Sequence, residues 1–293
     1  MGPSIKELLY ESVQYLKANG VENSILDAQL ILCHVLNKDR LYLTVHGHEA
    51  LNGDMVTQCR QLLRQRAQGM PVQYMTGLQE FMSLPFKVTQ DVLIPRADTE
   101  VLVEYVLKQY QDSDNARPLL GMDIGTGSGC IAVSLAYYIK DITVWAVDIS
   151  GEALAVAKEN AALNDVGDNV RFIHQDILQG IPEVRHERLL DVIISNPPYI
   201  PTGVIDTLQT EVRDYEPHHA LDGGADGFRF YPAIIRQAAR YLKPGGLLAL
   251  EVGHDQSGDI ANLIKKSGRY ERIEIVKDLA GINRGICARK MHN

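Results

Sequence analysis

Apolar positions over 1–70 recur at helical spacing. Ile5, Leu8, Leu9, Val13 and Leu16 fall on one helical face, and Gly20 follows as a stop. Ser24 and Asp27 have the spacing of a capping box before a second apolar helix over 25–36. Asn52 or Asp54 can open a further helix, with Met55, Cys59, Leu62 and Leu63 on one side and Gly69 and Pro71 ending it. The pattern changes over 72–94, where Gly77, Pro85 and Pro95 punctuate the chain and Phe86-Lys87-Val88-Thr89 alternates like a strand. This stretch reads as a hairpin between two domains. A helix over 98–110 follows, with Asp98 as its cap and a polar loop over 111–118 behind it.

Beyond that loop the period switches repeatedly between two and 3.6. Strands are expected over 119–124, 143–147, 170–174, 189–195 and 247–252. Helices are expected over 131–139, 152–163, 231–242 and 257–267, with Pro244-Gly245-Gly246 stopping the third. Two strands over 271–276 and 285–289 close the chain with no helix between them, so they should pair antiparallel. The alternation predicts an α/β domain, a mostly parallel sheet with helices on both faces. The expected organisation is a helical domain over 1–70, a linker with a hairpin over 71–97 and the α/β domain over 98–293.

Composition narrows the class. At 293 residues, with 45% hydrophobic and 23% charged, the chain suits a two-domain globular protein. A net charge of -8 weighs against a general nucleic-acid binder. The amphipathic start, with Glu7 and Glu11, is unlike a secretory signal, and no apolar run reaches membrane-spanning length. Cys33, Cys59, Cys130 and Cys287 are scattered, without metal-ligand or disulfide-scaffold spacing. A reducing, cytoplasmic setting is expected, with no metal, no membrane and no direct nucleic-acid partner.

Asn196-Pro197-Pro198-Tyr199 is the most informative segment. It ends an apolar strand, where a residue preceding proline stays extended. The Asn196 side-chain oxygen and the Pro197 carbonyl can each accept one hydrogen from a planar NH2 group. Tyr199 can pack its ring on that group. The arrangement points to N-methylation of an amide or amine. Taken alone, a Pro-Pro pair also serves as a plain turn.

Asp123-Ile124-Gly125-Thr126-Gly127-Ser128-Gly129 joins the first strand of the α/β domain to its helix. Its glycines allow close approach of a ligand. Asp148 ends the next strand, where it can accept from both ribose hydroxyls, and Asp176 follows the third strand, within reach of an adenine amino group. A dinucleotide is the competing ligand, but its fingerprint places the third glycine one position later. Asp123 is poor company for a pyrophosphate and suits the cationic methionyl part of S-adenosylmethionine, which is the expected cofactor.

These motifs together resemble the amino-methylating class I methyltransferases. Pro71-Val-Gln-Tyr-Met-Thr-Gly77, Ile94-Pro-Arg-Ala-Asp-Thr-Glu100, Ala220-Leu-Asp-Gly-Gly-Ala-Asp-Gly227 and Asp278-Leu-Ala-Gly-Ile-Asn-Arg284 are similar to those of the release-factor glutamine methyltransferases of the PrmC/HemK type. The resemblance spans nearly the whole chain. It implies a class I, Rossmann-like, seven-stranded methyltransferase domain with a small N-terminal helical domain that helps grip the partner. It further implies methyl transfer from S-adenosylmethionine, leaving S-adenosylhomocysteine, to the glutamine of the Gly-Gly-Gln motif in class I peptide-chain release factors. Asn196 and Pro197 would hold the glutamine amide beside Pro198 and Tyr199, and Phe81 would wall the pocket. The loop from Asp123 and Gly125 through Thr126, Gly127, Ser128 and Gly129 would hold the cofactor with Asp148, Asp176, Ile177 and Asn196. Ala97 departs from the family's usual proline, and Pro232 stands where a basic residue is common.

Other readings stay open on the sequence. The same tetrapeptide suits a glutamine of a ribosomal protein or a flipped adenine. An S-adenosylmethionine-binding scaffold without activity is a further alternative. Arg96, Asp98 and Glu100 read equally as an ordinary helix start. His46, His48, His218 and His219 read as solvated loop histidines, and Glu251 and His254 as hydrogen-bonded loop residues, while Arg284 reads either as a contact for an acidic partner surface or as a contact within the C-terminal strands.

Overall fold

The computed structural model describes residues 2–110, 118–180 and 189–292, so the expected polar loop over 111–118 lies, except for Pro118, outside the described residues. The chain forms two compact units, Met1–Leu78 with Gln209–Tyr215, and Gln79–Leu208 with Glu216–Asn293. The expected boundaries differ from this division. The hairpin, apart from Leu78, belongs with the larger unit, and a short later segment belongs with the helical one.

In the helical unit, Ser4 and Glu7 form a reciprocal capping box that opens α1 (Ile5–Ala18). The second helix, α2 (Ser24–Leu36), takes Asn23 as its cap residue without a side-chain bond, so the expected capping role of Ser24 does not hold. Asp27 instead faces inward, where it meets Arg66. The short α3 (Arg40–Val45), capped by Asp39, was not legible in the periodicity, being under two turns long. Asn52 caps α4 (Gly53–Ala67) through Met55 N–H. A one-turn α5 (Val72–Thr76) ends at Gly77. Ile5, Leu8, Leu16, Ile31, Leu32 and Leu63 form the core of this unit.

One ion cluster is buried there. Arg66 Nε donates to Asp27 Oδ2 at 2.7 Å and Arg66 Nη2 to Glu211 Oε1 at 2.5 Å. Burial is the larger influence on Asp27 and raises its pKa above the ordinary carboxylate value, while Arg66 pulls it back down.

The larger unit begins with strands β1 (Leu78–Phe81) and β2 (Leu84–Lys87), joined by Met82 and Ser83 at φ 52° and 60°. Two positive φ values in a two-residue loop match the twist of a hairpin. Asn160 holds β2 by accepting from Lys87 N–H and donating to the Lys87 carbonyl. Then follow α6 (Ala97–Tyr110), β3 (Leu119–Ile124), α7 (Cys130–Tyr138), β4 (Ile142–Asp148), α8 (Gly151–Leu163), β5 (Val170–His174) and β6 (Leu190–Ser195). The helical unit's α9 (Thr210–Arg213) comes next, then α10 (Tyr231–Tyr241), β7 (Leu242–Glu251), α11 (Ser257–Lys266), β8 (Tyr270–Lys277) and β9 (Asn283–Lys290).

Among the described residues, seven strands form one sheet in the order β5-β4-β3-β6-β7-β9-β8. The strands from β5 to β7 pair parallel, and β9 pairs antiparallel with β7 and β8. Alternate residues enter opposite cores. Val192, Ile194, Leu247 and Ala249 pack with residues of α6 and α7, while Ile193, Leu248 and Leu250 pack with residues of α10 and α11. Pro244-Gly245-Gly246, expected to precede a strand, lies inside β7. Pairing jumps from Leu190 with Leu242 to Val192 with Leu247, so the segment bulges out of the ladder. Proline has no N–H for a ladder bond, which is why it sits at such a bulge.

Candidate active site

The strand order reverses between β3 and β6. In an open α/β sheet the crevice for ligands lies at the carboxyl ends of the strands beside that reversal. The glycine loop follows β3 and Asn196 follows β6, so the two motifs emerge side by side. Ile124 and Ser195 are register partners, and Ser195 Oγ donates to the Ile124 carbonyl at 2.6 Å. A Cβ added at Gly125 would lie 3.9 Å from the Asn196 carbonyl oxygen.

The loop is braced from below. Asp123 is fully buried and accepts from Thr126 Oγ1 at 2.6 Å and Ala132 N–H at 3.2 Å. Its Oδ1 has no partner among the described residues. Burial pushes the Asp123 carboxyl up to about 7, and the charge on Asp148 pushes the same way. Gly129 sits at φ +80°, and a Cβ there would meet the Ala157 Cβ at 2.9 Å, so a side chain would part α7 from α8.

A cavity of about 590 Å³ opens over this edge. Gly125, Gly127, Asp148, Asp176, Ile177, Asn196, Pro197 and Pro198, all candidates from the sequence, line it. Asp148 Oδ2 accepts from Gly127 N–H at 2.8 Å and Oδ1 from Ser150 N–H at 2.9 Å. A carboxylate has about four acceptor positions, so two remain for a ligand's hydroxyls. Asp176 Oδ1 holds Leu178 N–H, fixing a short turn whose Ile177 and Leu178 add apolar wall.

Other expected residues lie elsewhere. Asp123, Thr126, Ser128 and Gly129 are beneath the loop and not among the cavity's lining residues. Phe81 was expected to wall the pocket. Instead it is 1% exposed and packs edge-on against Phe86, with ring centroids 6.1 Å apart, because the hairpin turns it into the core. Tyr199 also fails to line the cavity. Its hydroxyl faces Glu251 Oε1 at 3.5 Å, and burial, with the charge on Glu251, keeps its phenol protonated. Gln256 Nε2 donates to the Tyr199 carbonyl at 3.0 Å, and a Cβ at Gly227 would stand 2.4 Å from that oxygen. The glycine-rich segment 220–227 therefore lies directly under the tetrapeptide.

Asn196 Nδ2 donates to Thr99 Oγ1 at 3.2 Å. Thr99 Oγ1 in turn donates to Glu251 Oε2 at 2.6 Å. Burial pushes Glu251 up to about 7. The Thr99 hydrogen bond and Arg284 pull it down, and Asp98 pushes it up. Among the described residues no donor reaches Asn196 Oδ1, and none reaches the Pro197 carbonyl. Two acceptors thus stand unengaged on a rigid frame at the cavity.

No signal in the sequence pointed to Thr99, a common residue between two acids read as a helix start. His218 and His219, read as solvated, lie exposed at the cavity, beside Arg229 and Phe230. Their place depends on the long connection after β6 returning to the sheet edge. His46 pairs with Glu49 at 2.6 Å and stacks on Tyr42. Arg96 holds the buried Glu216 with both oxygens, at 2.6 and 2.7 Å, and Arg284 bridges Asp98 and Asp278, each at 2.9 Å.

The donor set fits S-adenosylmethionine. Asp148 and Asp176 line the cavity and Asp123 lies buried below it, a set of acids that opposes a pyrophosphate. Asp148, Asp176 and the apolar Ile177 are the residues that would hold the cofactor's ribose and adenine.

Comparison with known proteins agrees. A family profile described as the PrmC N-terminal domain matches residues 7–77, and one described as a methyltransferase domain matches 120–281. The release factor glutamine methyltransferase of Moorella thermoacetica is 42% identical over 281 residues, covering 96% of each chain. That of Clostridium acetobutylicum is 39% identical over 284 residues, 97% of this chain and 98% of its own. Among solved structures, a methyltransferase from Pyrococcus furiosus shares the fold with a TM-score of 0.50 at 21% identity, over 72% of this chain and 91% of that one. Two profiles in the right order and near-complete alignment with these relatives lead to one conclusion: this chain is an S-adenosylmethionine-dependent methyltransferase and belongs to the release factor glutamine methyltransferase family.

Proposed function

We propose that the protein methylates the side-chain amide nitrogen (N5) of the glutamine in the Gly-Gly-Gln motif of class I peptide-chain release factors. The observation that carries this reading is the pair of unengaged acceptors, Asn196 Oδ1 and the Pro197 carbonyl, beside the glycine loop. A primary amide presents two N–H donors, one for each. S-adenosylmethionine supplies an electrophilic methyl when bound. An amide nitrogen is a weak nucleophile because its lone pair is shared with the carbonyl. Two fixed acceptors favour the form in which positive charge grows on nitrogen, and they need no reorganisation as it grows. Fixing the NH2 group also supplies the orientation that a free amide lacks. Nitrogen gains a methyl and loses one proton, which is strongly acidic once the N–C bond has formed and passes to water. Pro198 holds the frame. Tyr199 acts from behind it, through Glu251, rather than on the substrate.

The helical unit exposes Ile25, Leu26, Leu41 and Val45, apolar surface suited to gripping a protein partner. The cysteines are free, as a cytoplasmic location would have them, and no helix among the described residues is long and apolar enough to cross a membrane. The test is incubation with labelled S-adenosylmethionine and, separately, release factor, ribosomal protein and RNA. Mass spectrometry should place one methyl on the Gly-Gly-Gln glutamine. Label confined to RNA or ribosomal protein overturns the assignment.

A further inference from the structure

We propose that Thr99 and Glu251 are positioning residues that decide which end of the Asn196 amide faces the substrate. The inference rests on the role given to Asn196 above. The two ends of an asparagine amide are nearly the same size, so packing alone does not choose between them. Hydrogen-bond polarity does. As a carboxylate, Glu251 can only accept, so the single Thr99 hydroxyl proton is committed to Oε2 at 2.6 Å. Thr99 Oγ1 then has only lone pairs to offer Asn196, and the 3.2 Å contact selects the NH2 end. Oδ1 is left for the cavity. The opposite orientation would set an NH2 group against the substrate's own NH2, donor facing donor.

The pair is well placed to hold this choice. Thr99 is 2% exposed and Glu251 3%, so water does not compete for either. The three residues come from the first turn of α6, the end of β7 and the end of β6, and none can shift without its element. Glu251 Oε1 also faces the Tyr199 hydroxyl at 3.5 Å, so one carboxylate addresses both ends of the tetrapeptide. Burial pushes the Glu251 pKa up to about 7, while the Thr99 hydroxyl and Arg284 favour the carboxylate on which this polarity depends.

The test is single-turnover and steady-state methylation of the release factor by Thr99→Val, Thr99→Ser, Glu251→Met, Asn196→Ala and the Thr99→Val/Asn196→Ala double variant. Retained S-adenosylhomocysteine binding checks that each variant folds. Thr99→Val, isosteric without the hydroxyl, should lower kcat about 10- to 100-fold with cofactor affinity within about two-fold, and Thr99→Ser should recover to within about three-fold of the parent. In the Asn196→Ala background, Thr99→Val should have no further effect, since its action passes through Asn196. Should Thr99→Val not fold, Glu251→Met, which removes the acceptor, must show the same kcat loss and the same dependence on Asn196. Parental kcat in Thr99→Val or Glu251→Met, beside an inactive Asn196→Ala, refutes the relay and leaves the role of Asn196 standing. An additional loss in the double variant also refutes it. Parental activity in Asn196→Ala removes the underlying reading, and the inference with it.

Discussion

Replacing Arg66 with Met tests what the buried ion cluster contributes to the helical unit. Arg66 and Asp27 are 5% and 4% exposed, so the change strands a carboxylate without its guanidinium. Glu211 is the more exposed partner and can return to water, so the loss falls mainly on Asp27. Burial already raises the pKa of Asp27, with Arg66 holding it back. Without Arg66 the least costly response is to bind a proton. Keeping an aspartate neutral at pH 7 against an unfolded pKa of about 3.9 costs about 4 kcal/mol, and at pH 5 about 1.5 kcal/mol. The first figure agrees with the roughly 3–5 kcal/mol seen when one partner of a buried pair is removed. The sign is fixed by linkage. The folded pKa lies above the unfolded one, so the folded state binds more protons between them and stability falls as pH rises through that window. Urea denaturation with hydrogen exchange on α2 and α4 should show Arg66→Met about 4 kcal/mol below the parent at pH 7 and about 2–3 kcal/mol closer to it at pH 5. Asp27→Asn with Arg66→Met, which removes the charge, should recover much of the loss. A deficit under about 1 kcal/mol at pH 7, or one equal at both pH values, would refute the account.

Three further outcomes are expected. Asn196→Ala should lower methylation of the release factor about 100- to 1,000-fold with S-adenosylhomocysteine affinity little changed, and turnover within a few-fold of the parent would count against its role. Asp148→Ala should weaken the cofactor about 10- to 100-fold in calorimetric titration, from lost charge-assisted hydrogen bonds, and an unaltered Kd would contradict the ribose assignment. Gly129→Ala forces a left-handed alanine against Ala157, where a Cβ would stand at 2.9 Å. Together these should cost about 2–4 kcal/mol in urea denaturation, and a parental midpoint would show that α7 and α8 can part freely.

The elements that were legible share a physical trait: their pattern repeats for long enough. Strands such as Leu190–Ser195 are buried on both faces, and helices such as Ile5–Ala18 show one apolar stripe. The short α3 and α5 complete too few turns to show a period. Ser24 resembled a cap because spacing alone does not say whether a side chain bonds the backbone or sits within the first turn. The bulge at Pro244-Gly245-Gly246 looked like a stop because proline marks both.

The site divided in the same way. Asn196 and the glycine loop stood out because each gathers its distinctive residue types into consecutive positions. The partners of Phe81, Tyr199, Thr99 and Glu251 were not legible, because what each does depends on which neighbour its side chain meets. Phe81 met Phe86, and Tyr199 met Glu251, which sequence does not place beside it.

The order of the strands and long helices, the two motifs and the family resemblance were present in the linear chain. They follow from local periodicity, from the φ limits of glycine and proline, and from runs of adjacent residues. Folding alone decided that β6 lies beside β3, which sets acceptor and cofactor loop on one crevice. It also decided that a threonine and a glutamate 152 positions apart share one proton beneath Asn196. Side-chain hydrogen bonds of this kind are fixed by three-dimensional proximity, which no spacing along the chain encodes.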